Sequence, residues 1–279
     1  GPRHGGDAGN LVVGQLVASD IENAVSWLFV ADRLYQLPLG VIGIAIGIVL
    51  LPDLSRRLRA DDGAGAQAAL SRAGEFALLL TIPSAVAFMV IPAPLVTVLY
   101  ERGATGAEDV AAIALAVAIY GAGLPSFVLH KLLQPLYFAR EDTRSPFRYA
   151  LVCMVINAGL AVGLKPVFGW LAPAIAASAA GWAMVALLWL GARRMGAAAR
   201  FDARFYSRAW RILAAAAVMG LSAHLLVQAF GWMLYLPSWR YVALLALVLS
   251  GCAVYYLAAH LTGAASLREI KQSLRRNRA

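Results

Sequence analysis

Charged side chains are scarce in this sequence. Only 14% of its 279 residues are Asp, Glu, Lys or Arg, whereas 61% are hydrophobic and the mean hydropathy is +0.70. Soluble domains usually contain about 45–50% apolar and about 25% charged residues. The composition therefore excludes an ordinary soluble domain and predicts a polytopic membrane protein.

Cysteine and histidine are also rare. Cys153 and Cys252 both lie in apolar segments without a second ligand at metal-binding spacing, so we interpret both as small core residues. The four histidines form no HExxH or similar cluster. The sequence is thus predicted to be neither a metal enzyme nor a protein with a resident cofactor.

Long apolar windows, by contrast, fill almost the whole chain. A helix needs about 20 residues to cross a hydrocarbon core of about 30 Å. Seven windows approach or exceed this length: Ala24–Leu51, Phe76–Tyr100, Val110–Phe138, Tyr149–Leu164, Trp170–Leu190, Ile212–Leu236 and Tyr241–Leu261. An eighth, Leu11–Ser19, is either the end of a truncated helix or a surface segment. We predict an all-α transmembrane bundle with seven full spans and one short N-terminal span.

Lys and Arg are unevenly distributed between the loops. Four lie in 53–75, three in 139–148, six in 191–211 and five after residue 261, whereas each alternate loop holds one. Because cytoplasmic loops carry the excess of positive charge, the first set and the C-terminus are predicted to be cytoplasmic. The net charge of +9 is then a consequence of topology, and no nucleic-acid partner is expected.

Helix-breaking prolines concentrate in the first three windows, beginning with Pro38. A membrane helix tolerates proline where neighbouring helices or water satisfy the freed backbone groups. The cluster indicates either a transporter cavity or simply the common use of proline in membrane helices. Gly40, Gly43 and Gly47 share one face of the first window and predict close approach of another helix.

Asp32 and Arg33 place two charges inside the first window, about 12–13 Å from its outer end at about 1.5 Å per residue. Adjacent helical residues point about 100° apart, so the two cannot neutralise each other. Each costs about 2.5–3.5 kcal/mol at a helix centre unless it meets a partner or water. The alternative is a window that begins near Tyr35, with Arg33 extending to the interface.

Lys131 is a third charge inside a window, and it lies seven residues before the window ends at Phe138. A lysine so placed can also extend to the interface, which is the alternative explanation.

A cation-lined cavity without a nucleophile, metal or proton relay suits the binding of an anion. A diphosphate fits Arg33 because a guanidinium offers paired donors to phosphate oxygens.

Two long stretches resemble the MurJ/MviN family of lipid II flippases in the MOP exporter superfamily. They are AVSWLFVADRLYQLPLGVIGIAIGIVLLPDLSRRL at 24–58 and LLQPLYFAREDTRSPFRYA at 132–150. The likeness extends from about residue 11 to the C-terminus. It implies a non-helical remnant at 1–10, a six-helix transporter lobe at 11–200, and two further helices with a basic cytoplasmic tail at 201–279. The family's N-terminal lobe is missing from this sequence.

The resemblance implies a function and its residues. The family flips lipid II, an undecaprenyl-diphosphate-linked disaccharide peptide, across the bacterial inner membrane by alternating access, for peptidoglycan synthesis. Its essential cavity arginine falls on Arg33, beside Asp32, and a further basic residue on Lys131. With Gln36, these are the candidate substrate-binding residues, and Pro38 and the three glycines shape the same helix. The expected partners are lipid II, membrane lipids and the missing lobe.

The resemblance also suggests how transport is driven. The candidates are a coupling cation, sodium or proton, and the membrane potential. Some members are described as having a sodium site. In this sequence Asn157 is the candidate ligand for such a site, but Ala161, one turn later, has no side-chain oxygen that could serve as a second ligand. We therefore do not expect that site to be complete.

Two other functions stay open at the level of sequence. One is export of another polyprenyl-diphosphate-linked glycan. The other is a membrane enzyme acting on such lipids, which would need an acidic metal site, whereas Asp61–Asp62 and Glu141–Asp142 lie in loops without supporting ligands. A purely structural scaffold is disfavoured because it gives no reason for charges inside the spans.

Overall fold

A computed structural model describes residues 4–100, 107–265, 268, 271 and 272, with side chains from residue 23 onward except at 49, 50 and 107. Its α-helices are α1 (His4–Ala45), α2 (Leu51–Arg59), α3 (Gly63–Val90), α4 (Pro92–Tyr100), α5 (Ala107–Phe138), α6 (Arg144–Gly163), α7 (Lys165–Phe168), α8 (Ala172–Ala192), α9 (Ala203–Phe230) and α10 (Arg240–Thr262). Within these ranges, seven helical segments are long and apolar enough to cross a membrane. The predicted all-α bundle with seven spans is confirmed.

The N-terminal prediction needs correction. Helix α1 begins at His4 and continues to Ala45, so Leu11–Ser19 and most of the first full window belong to one helix. Residues 4–10 are helical too, whereas a non-helical remnant was predicted for 1–10; residues 1–3 lie outside the described part. The polar sequence Asp20-Ile21-Glu22-Asn23 separates the two windows by hydropathy, but it contains no helix breaker.

Helix α5 is the centre of the bundle. It packs against α1, α3 and α8, while α6 packs on the far side of α8 and the α9–α10 pair packs on α3. Leu124, Leu132 and Leu136 of α5 are fully buried between these neighbours. The most buried helix in the bundle therefore also carries Lys131, one of the predicted site residues.

The prolines are accommodated in two ways. Helix α3 ends where Ile91 leaves helical geometry, and Pro92 begins α4. Helix α5 instead continues through Pro125, and α8 satisfies carbonyls on the preceding turns: the Ser178 hydroxyl donates to Ile119 O at 2.9 Å and the Trp182 indole donates to Ala122 O at 2.8 Å. These two bonds tie α8 to the turns of α5 just before Pro125, on either side of Gly121, whose carbonyl is the one that Pro125 cannot donate to.

One end of the bundle carries the loops at 60–62, 139–143 and 193–202, and most of the arginines lie in these loops or on the helix ends beside them. We call it the arginine-rich end. Loop residues contact one another here: Arg140 donates to Met195 O at 2.9 Å, and Arg208 donates to Ala264 O at 3.2 Å. The backbone N–H of Ser145 also donates to Asp142 at 3.0 Å, and this lowers the pKa of that carboxyl group. The opposite end contains Trp27, whose indole donates to Asp109 at 2.8 Å.

A partly buried ion cluster joins α3 to the start of α9. Arg72 donates to both carboxylate oxygens of Asp202, at 2.7 and 2.6 Å, and lies 3.2 Å from Glu75. Asp202 also accepts from the backbone N–H of Phe205 and so caps α9. Gly74 allows this contact because a Cβ there would lie 2.8 Å from the Phe205 ring. The cluster fixes the α9–α10 pair to the rest of the bundle.

The cysteine prediction is half correct. Cys153 is buried, with its Sγ 3.8 Å from the sulfur of Met184, whereas Cys252 is exposed on α10. Hydropathy alone cannot tell a buried cysteine from an exposed one in a membrane helix. Helix α10 contacts α9 along one face and leaves the other face open, and Cys252 is exposed.

Candidate anion-binding face

Helix α1 has a packed face and an open face. Ala31, Leu34, Ile42 and Ile46 are buried against the neighbouring helices. The opposite side is exposed in this chain and is called here the open face of α1; it comprises Arg33, Gln36, Leu37, Gly40, Val41, Ile44 and Gly47. The spacing of three or four residues keeps each set on one side of the helix.

Arg33 lies on the open face, within the segment Asn23–Arg59 that is long and apolar enough to cross a membrane. Its guanidinium carbon is 5.3 Å from the centre of the Phe29 ring, so the side chain leans toward the preceding turn. Trp27, which hydrogen-bonds Asp109 at the end of the bundle, precedes Arg33 by six residues, or about 9 Å along the helix. Among the described residues, no carboxylate lies within ion-pairing distance of Arg33. The guanidinium is therefore held in place by an aromatic ring while its donors point to open space.

Asp32 is directed elsewhere, as its offset from Arg33 predicts. Its carboxylate is half-buried, accepts a hydrogen bond of 2.6 Å from the amide of Gln36, and contacts Tyr35. The Tyr35 ring in turn stacks on Tyr120 of α5, with the ring centres 5.1 Å apart. Asp32 therefore orients Gln36 and Tyr35, and this geometry makes it a positioning residue beside Arg33 rather than its counter-ion.

Lys131 reaches the same helix from α5. Its ammonium nitrogen lies 2.7 Å from the point that a Cβ on Gly43 would occupy. Any larger residue at position 43 would push this nitrogen away, so the glycine lets the lysine lie across α1. The predicted close approach at Gly43 is thus made by a side chain, not by a helix backbone.

Gly40 and Gly47 behave differently. An added Cβ at either position would meet no atom of the described residues within 4 Å, so neither glycine packs against a helix in this part of the chain. Pro38 also does not interrupt α1, which stays α-helical until a π-helical turn at Ile46–Leu50. The irregularity comes instead just before Pro52, whose nitrogen cannot donate to a carbonyl on the preceding turn.

Arg33 and Lys131 lie at different depths. Gly43, which marks the level of the lysine nitrogen, follows Arg33 by ten residues, or about 15 Å along the helix, and the arginine side chain leans the other way. One diphosphate cannot reach both groups at once. The sequence placed both residues in one cavity, and the structure separates them into two positions along one helix.

Asn157 lies apart from this face. It is half-buried on α6, and the main neighbour of α6 is α8, whereas α1 packs on α5. In the part of the chain that the structure describes, no group of three or more His, Cys, Asp or Glu residues forms a metal site. A role for Asn157 in ion binding stays a prediction.

Comparison with known proteins now adds to this geometry. A family model described as lipid II flippase MurJ matches residues 8–250. Probable lipid II flippases of Rhizobium tropici and Rhizobium meliloti are 39% and 40% identical over 96% of this chain, which corresponds to 51% and 50% of those proteins. The chain therefore spans about half the length of the curated relatives it matches.

A solved structure shows the same fold. Lipid II flippase MurJ in an inward closed conformation superposes with a TM-score of 0.68 at 22% identity, over 85% of this chain and 47% of that one. The seven spans and the helix order thus define a multi-pass membrane protein with a transporter fold. This chain belongs to the MurJ lipid II flippase family.

Proposed function

We propose that this chain forms one wall of the central cavity of a lipid II flippase and that the open face of α1 binds the diphosphate of the lipid. The observation that carries the proposal is the exposure of Arg33 within a membrane span, without a carboxylate partner among the described residues. Such a group costs about 2.5–3.5 kcal/mol against lipid, so this face belongs beside water or other polypeptide.

In this proposal the protein is a transporter of the bacterial inner membrane and not an enzyme. The arginine-rich end faces the cytoplasm, as does the C-terminus, because positive charge collects on that side. Lys131 then lies toward the cytoplasmic end of the cavity, and Arg33 lies toward the outer end. Polypeptide outside this chain, corresponding to the other lobe of the family, forms the opposite wall.

The different depths of Lys131 and Arg33 suggest the order in which the headgroup meets them during transport. A headgroup that enters from the cytoplasm meets the Lys131 ammonium first, and Arg33 receives the diphosphate when the lobes rearrange around a site near the midplane. The Lys131 point charge suits transient contact, whereas the planar Arg33 guanidinium makes paired hydrogen bonds. The membrane potential biases the cycle, since one charge crossing 100 mV changes free energy by about 2.3 kcal/mol.

The proposal is tested by Lys131→Ala in the full-length protein. We expect the initial rate of lipid II flipping in proteoliposomes to fall about tenfold, because the first charged contact of the diphosphate is lost. Lys165→Ala is the matched control, since Lys165 is an exposed lysine at the opposite end of the bundle. Equal flipping by both variants would exclude Lys131 from the path, and normal flipping by Lys131→Ala and Arg33→Ala alike would refute the proposed function.

A further inference from the structure

A polar groove lies at the arginine-rich end, beyond the residues used so far. It has a volume of about 500 Å³, within the range of roughly 300–1,000 Å³ typical of small-molecule sites. Its lining residues are Gly47, Leu51, Pro52, Ser55, Arg56 and Arg59. The groove therefore begins on the open face of α1 at Gly47 and ends at two arginines of α2.

The π-helical turn brings these arginines into line. In an uninterrupted α-helix, Arg59 would point about 80° away from Arg33, and Arg56 about 140° away. The turn at Ile46–Leu50 inserts one residue, which rotates everything after it back by about 100°. Arg59 then lies within about 20° of Arg33, and Arg56 within about 40°. Their presence in one groove with Gly47 agrees with this rotation.

The two guanidiniums are available to a ligand. The Arg56 side chain is 77% exposed and is oriented by Asp53, which accepts from it at 2.6 Å but does not line the groove. Arg59 is exposed, and among the described residues it has no carboxylate within ion-pairing distance. Arg57, by contrast, turns away to Asp53 and Asp62. The groove thus keeps a net positive charge, and the Ser55 hydroxyl adds a neutral donor.

We propose that this groove is a separate capture site for the diphosphate headgroup of the lipid, about 20 Å along the helix from the Lys131 level. The proposal rests on the proposed function, and it adds a third position along the same helical segment: Arg56 and Arg59, then Lys131 over Gly43, then Arg33. A diphosphate at the groove is bound by two forked guanidiniums at the mouth of the cavity.

Binding to nanodiscs tests this site with the full-length protein. The bilayers contain phosphatidylcholine with the same mole fraction of either undecaprenyl diphosphate or phosphatidylglycerol, and native mass spectrometry measures the lipid that stays bound. The assay uses an Arg33→Ala/Lys131→Ala background, so that the other two cationic positions proposed along this helical segment are removed. We expect Arg56→Gln/Arg59→Gln to lower binding of the diphosphate lipid about tenfold or more.

Arg144→Gln/Arg148→Gln is the matched control, because it removes two exposed arginines from α6 at the same end of the bundle. If Arg56→Gln/Arg59→Gln lowers binding of undecaprenyl diphosphate but not of phosphatidylglycerol, the result supports the diphosphate lipid as the ligand of the groove. If the variant loses phosphatidylglycerol to the same extent, the groove is a phosphate site filled by membrane lipid and not a capture site for the diphosphate. Binding equal to the control, or none in the background protein, overturns the capture site even if Arg33→Ala abolishes flipping. Normal flipping by both Arg33→Ala and Lys131→Ala, together with loss of binding at the groove, refutes the proposed function and leaves the groove standing.

Discussion

Arg33→Ala in the full-length protein is expected to abolish rescue of a flippase-depleted cell, although the protein still inserts in the membrane. The physical reason is the loss of paired, charge-assisted hydrogen bonds to the diphosphate, which lowers transport by about 100-fold. Folding should be spared, because Arg33 is exposed and its contact with Phe29 contributes only about 0.5–1 kcal/mol. Growth of depleted cells that express the variant, with immunoblots of membranes, measures both.

Arg33→Lys separates charge from geometry. A lysine keeps the positive charge but cannot form the forked contact, so partial rescue is expected. Arg148→Ala is a suitable control, since it removes an exposed arginine from α6 without touching the open face of α1. Full rescue by Arg33→Lys would argue against a bidentate contact, and full rescue by Arg33→Ala would remove Arg33 from the binding site.

Of the substitutions considered, Arg72→Ala is expected to lower stability most, by about 2 kcal/mol in the free energy of unfolding. It leaves Glu75, which is only 9% exposed, and Asp202 without their closest cation. A fully buried pair costs about 3–5 kcal/mol to break, and the value is reduced here because Arg72 and Asp202 are about one-third exposed. Thermal unfolding of the purified full-length protein, followed by intrinsic fluorescence, measures the change.

The Arg56–Asp53 pair provides the control, because it has the same 2.6 Å separation but an arginine side chain that is 77% exposed. Arg56→Ala should change stability by less than about 0.5 kcal/mol. Adding Glu75→Gln to Arg72→Ala should restore part of the loss, since it removes a buried charge whose remaining cation, Arg204, is 3.7 Å away. Equal effects of Arg72→Ala and Arg56→Ala would show that the α3–α9 ion cluster does not hold these helices together.

Hydropathy predicted the seven spans, because the apolar length of each span is a local property of the sequence. The orientation drawn from loop charges stays a prediction. The different faces of Asp32 and Arg33 also followed from the helical repeat alone. Contacts between distant parts of the chain did not: the Arg72–Asp202 pair joins residues 130 positions apart, and the Lys131–Gly43 approach needs the packing of α5 on α1.

The π-helical turn explains why the sequence did not predict the alignment of Arg56 and Arg59 with Arg33. With a regular helix, Arg56 and Arg59 point away from Arg33, so the sequence suggested only a basic loop. Pro52 was the available signal, since it removes the donor that an α-helical turn would need, but proline does not by itself specify a π turn. Sequence also gave no depth along the cavity, which is why Arg33 and Lys131 were placed in one site.

Photo-crosslinking from position 40 tests the central claim most directly. A photoreactive amino acid replaces Gly40, where an added Cβ would meet no atom of the described residues within 4 Å. Val162, which is 75% exposed on α6, serves as the control position. If the open face of α1 binds the substrate, illumination of cells that make lipid II should give a lipid II adduct at position 40 and little at 162. Adducts of equal yield at both positions, or none at position 40, would contradict the account.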